Sequence, residues 1–224
     1  SDGTNSGIVV SNVGSASGDQ ISFDITFHDV SAEGGYWSSV AEQTASGLFA
    51  LDSCMDSDGT VYYMQKTMSP DNQIYLYQYA DAQWKLLGTP LNSSGFDYHL
   101  IRYQDALYVE YNTGSSVQLL RWKEAEGWNT VYSSQTGANQ IAAAADSHGI
   151  YLAYTDTNNS SLYTCRYTPS VIVDMGIAAE SNEYLMDPMI TSENGKTVLM
   201  YREWNANSRW SIKQYDSGWK SLGE

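Results

Sequence analysis

Five residues near the C-terminus form a set with recognisable chemistry. Tyr201 leads into Trp204, and Asn205, Asn207 and Arg209 follow it. An indole ring offers a flat surface to the C–H side of a sugar, while amides and a guanidinium bond the hydroxyls. A second set is acidic: Asp52, Asp97 and Asp187. Cleavage of a glycosidic bond needs two carboxyls roughly 5–10 Å apart in one cleft. These three acids are candidates only if the fold brings their strands to a common axis. Asp187 precedes Pro188, and the simpler role for such a pair is to open a strand.

Other sets dissolve on inspection. Asp56-Ser57-Asp58-Gly59 has the start of a calcium loop but lacks its further acids and distal Glu. His28, His99 and His148 fall in three different segments without metal-ligand spacing. No phosphate loop, zinc motif or Gly-x-Ser-x-Gly is present. The sequence therefore implies no metal, no cofactor and no catalytic set. Cys54 and Cys165 lack CxxC spacing and are expected as buried thiols rather than a bridge.

The elements that must position these residues announce themselves by repetition. Trp37, Trp84, Trp128 and Trp219 each open a short apolar run, at intervals of 47, 44 and 91 residues. The longest interval is two periods, with the missing slot near Ile172. A second marker is a turn followed by an aromatic strand: Asp56 to Gly59, then Val61-Tyr62-Tyr63-Met64; Asp146 to Gly149, then Ile150-Tyr151-Leu152-Ala153-Tyr154. Asp and Asn start such turns, Gly supplies positive φ, and the alternating aromatic and β-branched residues favour a strand. A third marker is a strand ending in an aromatic, as in Leu162 to Tyr167 and Trp210 to Tyr215. The least aromatic strand, Ile141 followed by four alanines, suits the crowded axis of a radial fold.

Four strands in a period of about 45 residues predict an all-β propeller of four-stranded antiparallel blades. The simplest count is five blades. Regular blades are expected at about 46–88, 89–132, 133–176 and 177–224, an atypical first blade at 8–45, and a linker at 1–7. The second-to-third and blade-to-blade loops are long and rich in Asn, Ser and Thr, and they emerge on one face. Long loops on a rigid scaffold are where function is usually placed.

The Trp-x-x-Leu-Gly and Gly-x-Tyr-x-x-Tyr cadences over about 180 residues resemble those of bacterial β-propeller repeat proteins of the lectin-like and sialidase-like kind. That resemblance implies a fold and a class of ligand. It does not extend to catalysis: the sialidase Ser-x-Asp-x-Gly-x-Thr-Trp box is absent, and of the arginines only Arg102 falls on an inner strand. With 26 acids against 11 bases and a net charge of −15, the chain lacks the basic footprint that nucleic acid or an anionic membrane requires. No run is long enough to insert into a membrane. The expectation is a non-catalytic extracellular or cell-surface module that binds a glycan. The alternatives are an interaction platform for a surface protein and a glycosidase or sialidase-like enzyme using the three acids.

Overall fold

The computed structural model describes residues 8–11, 24–27, 48–56, 58–67, 72–81, 83–88, 91–92, 95–204 and 208–223. The chain forms two compact units, Ser1–Glu42 and Gln43–Glu224. In the first, β1 (Ile8–Ser11) pairs antiparallel with β2 (Asp24–Phe27). The rest of the expected first blade, including Trp37, lies outside the described residues.

The second unit bears out the propeller expectation. It contains four antiparallel sheets, each built from consecutive strands, and no helix among the described residues. The first sheet runs β3 (Leu48–Met55), β4 (Val61–Thr67), β5 (Gln73–Ala80) and β6 (Gln83–Leu86), with the short β7 (Leu91–Asn92) added to β5. The second runs β8 (Phe96–Tyr103), β9 (Ala106–Asn112), β10 (Val117–Lys123) and β11 (Gly127–Ser133). The third runs β12 (Ala138–Asp146), β13 (Gly149–Asp156), β14 (Ser161–Tyr167) and β15 (Ile172–Glu180). The fourth runs β16 (Tyr184–Glu193), β17 (Lys196–Trp204), β18 (Arg209–Tyr215) and β19 (Trp219–Gly223). The alanine run is strand, paired with Ile150 to Tyr154 across the sheet. The tryptophan slots hold in β6, β11 and β19, and Ile172 opens β15 where a tryptophan is missing.

Successive sheets pack face on face. Tyr62, Met64 and Leu76 of the first meet Leu100, Val109 and Trp122 of the second. Ile101, Tyr108 and Leu119 of the second meet Ile150, Leu152 and Tyr167 of the third. Ala153 and Leu162 of the third meet Leu185, Leu199 and Tyr201 of the fourth. A sheet covered on both faces reads as continuous burial, and β9 is buried at every residue. In β17 burial alternates instead, with Thr197, Leu199 and Tyr201 buried. The fourth sheet therefore buries one face on the third and exposes the other.

The first strands of adjacent sheets lie side by side and are fastened by a recurring bond. Asp52 Oδ2 accepts the Leu100 N–H at 2.7 Å. Asp97 Oδ2 accepts the Ile141 N–H at 3.1 Å, and Gln140 Oε1 accepts the Asp187 N–H at 2.6 Å. Each acceptor lies at or beside an irregularity in its strand: between Ala50 and Asp52, Phe96 and Tyr98, and Ala138 and Ile141. A bulge turns a side chain out of the alternating pattern, and here it brings an oxygen to the backbone of the next sheet.

Candidate functional site

The exposed face of the fourth sheet carries the residues singled out for ligand binding. Strand alternation splits them. Tyr201 faces the third sheet and is only 3% exposed, whereas Trp204, three positions on, is 50% exposed. Arg202 and Trp204 share the outward face. Antiparallel pairing sets Arg202 opposite both Met186 and Trp210, and Trp204 opposite Tyr184. Trp210 thus joins Trp204 on the outer surface, where Met189 and Ile212 extend the same patch.

Arg202 is the centre of this patch. Its Cζ lies 4.8 Å from the Trp204 ring centroid and 5.9 Å from that of Trp210, both within cation–π range. Its Nη2 meets Asp187 Oδ2 at 2.6 Å, and its Nε is buried with no acceptor. Asp187 belongs to the same series of first-strand positions as Asp52 and Asp97, with a fourth bulge between Met186 and Met189. Where Asp52 and Asp97 reach across to the next sheet, Asp187 turns to a guanidinium within its own sheet. Arg209 stands at the base of the loop and bonds Glu203 at 3.0 Å. Asn205 and Asn207 lie outside the described residues.

The arrangement offers two indole faces, a guanidinium held between them and a carboxylate beside it. Flat apolar rings stack on C–H surfaces, and the Arg202–Asp187 pair presents both donors and acceptors to hydroxyls. Among the described residues no cluster of His, Cys, Asp or Glu has the arrangement to hold a metal ion. The three acids do not share one bonding environment: Asp52 and Asp97 are spent on backbone N–H groups of different junctions, and Asp187 on Arg202. Sequence reasoning passed over Arg202 as the hub. Its alternation with Trp204 was readable, but its alignment with Trp210 depends on cross-strand register.

No family model matches the chain, and no curated protein matches it. Solved structures do. A mutant of the Aleuria aurantia lectin in complex with α-methyl-L-fucoside superposes with a TM-score of 0.57 at 14% identity, over 91% of this chain and 70% of that one. AofleA from Arthrobotrys oligospora gives 0.54 at 11% identity, over 90% and 62%. The Trypanosoma rangeli sialidase in complex with sialic acid gives 0.55 at 12% identity, over 91% of this chain and 36% of the sialidase. The likeness is one of fold. The chain spans about a third of the sialidase's length.

Proposed function

We propose that this chain is a non-catalytic carbohydrate-binding module acting outside the cell or at its surface, with the exposed face of the fourth sheet as its site. The observation that carries the reading is Arg202 held between the half-exposed rings of Trp204 and Trp210 and paired with Asp187. The glycan-bound structures among its fold neighbours support the choice of ligand class. The acidic net charge supports a neutral ligand over a polyanion for this face. Stacking on one aromatic ring contributes on the order of 1 kcal/mol beyond area burial, so binding per site is weak and gains from multivalency.

A second reading has its own support. The patch is broad rather than a narrow cleft: Tyr184, Met189 and Ile212 continue the apolar surface beyond the indoles. Contiguous exposed apolar area of that kind suits a protein partner. A glycan array followed by calorimetry on Trp204→Ala separates the readings. Binding to a defined saccharide that Trp204→Ala abolishes supports the glycan site. No binding to any glycan, or binding untouched by the substitution, overturns it, and a protein captured through the same tryptophan moves the assignment to the interaction platform.

A further inference from the structure

We propose that the groove between the first and second sheets is a binding site for an oxyanion, a carboxylate, sulfate or phosphate group. It lies at the opposite end of the strands from Trp204 and does not depend on the glycan reading above. The groove has a volume of about 260 Å³ and is lined by Tyr62, Lys85, Arg102, Trp122 and Lys123, with Asp105 and Glu124 at its side. Three of the chain's 11 bases converge here in a protein of net charge −15. Each faces one acid, Glu124, Asp105 or Asp56, none of them closer than 3.1 Å.

The cations are incompletely satisfied. Lys85 meets Glu124 only at 3.9 Å, between two side chains that are mostly in solvent. Lys123 bonds Asp105 at 3.1 Å, and Asp105 is largely exposed. Exposed pairs of this type contribute little to stability, so an incoming anion can replace either acid at little cost. Arg102 Nε stands 3.7 Å from Asp56 Oδ2, too far for a hydrogen bond, and is buried without an acceptor. Trp122 is 9% exposed, and its indole N–H also lacks an acceptor. The donors that face the groove are the ammonium groups of Lys85 and Lys123, each held by an exposed acid. A ligand that supplies only acceptor oxygens and negative charge suits them.

The repeat does not produce this groove everywhere. At the same level between the second and third sheets, Tyr103, Tyr108 and Tyr167 fill the space, with ring centroids 6.1 and 5.7 Å apart. Trp122, next to last in β10, and Tyr167, last in β14, lie at the same end of equivalent strands. The first junction has Arg102 and the two lysines where the second has tyrosine packing.

Calorimetry with inorganic sulfate and with acetate, at fixed ionic strength, tests the site. The expected result is saturable binding of one or both probes. Lys123→Gln should weaken it about tenfold, the loss of one charge-assisted hydrogen bond. Lys85→Gln should also weaken it. Lys220→Gln, on the fourth sheet, should leave it unchanged. Sulfate alone assigns the groove to a tetrahedral anion, and acetate alone to a carboxylate. Absence of saturable binding with both probes, or equal affinity in the Lys85→Gln/Lys123→Gln double variant, overturns the proposal. Lys85 and Lys123 pair with exposed acids at the surface, so both variants keep the fold, and an unchanged melting temperature verifies it.

Discussion

Glu110 is the residue whose chemistry conflicts most with its place. It lies in the middle of β9, fully buried, and neither carboxyl oxygen has a hydrogen-bond partner. Burial, with the Asp97 carboxylate as a second cause, pushes its pKa well above the ordinary carboxyl range. The folded protein therefore holds this proton at pH values where the unfolded chain has released it. The contribution is neutral below the unfolded value of about 4.3 and destabilising above it, with a slope of up to about 1.4 kcal/mol per pH unit until the folded pKa is passed. Glu110→Gln should raise stability at pH 7 to 8 and flatten its decline from pH 5 upward. Urea unfolding of both proteins across that range checks the sign. Of the two thiols expected to be buried, Cys165 is and Cys54 is half-buried; burial still pushes both up to about 12, so both should resist alkylation at neutral pH, Cys165 the more strongly.

At the scale of elements, the bulged first strands carry the junctions. Asp97 adopts φ 58°, a left-handed conformation that Asp tolerates better than most residues. Asp97→Ala removes the acceptor for the Ile141 N–H and strains the bulge, so a loss of about 1–3 kcal/mol is expected. Asp97→Asn keeps an acceptor oxygen and should cost less; it should also lower the pKa of Glu110 by removing the nearby charge. Chemical denaturation of the two variants distinguishes these effects. Gly88 closes the first sheet against the second. Its φ is +64°, and a Cβ there would come 2.6 Å from Trp122 Nε1. Gly88→Ala should destabilise by about 1–3 kcal/mol through overpacking, and a melting curve with near-ultraviolet dichroism of the tryptophans reports it.

At the scale of the molecule, the second unit is a row of sheets in which each packs on its sequence neighbours. Stability in such a row is a sum of unit and nearest-neighbour terms. Native-state hydrogen exchange should find the slowest amides in β9 and β13, buried on both sides, and faster exchange in β19, where four of five residues are exposed. This architecture was legible in the sequence because its markers are local. A tryptophan, an Asp-to-Gly turn and an aromatic strand each recur at short range and need no knowledge of register. The reading of 141–145 as the least aromatic strand agrees with β12. The candidate site was legible in part. Alternation separates Tyr201 from Trp204, but the pairing of Arg202 with Trp210 and with the bulged Asp187 depends on how strands align across the sheet. The role of Asp52 and Asp97 was likewise hidden, since their partners are backbone groups about one repeat away.

Those fastening bonds carry a consequence for how such chains change length. The donor is in each case a main-chain N–H, which every residue except proline supplies. The clasp thus asks nothing of the donor residue's side chain. As acceptor, Gln140 serves as well as Asp52 or Asp97, so the accepting position also tolerates exchange. A repeat inserted, deleted or borrowed from elsewhere in the row can be fastened in the same way. What then limits the exchange of units is the side-chain packing, which differs from junction to junction.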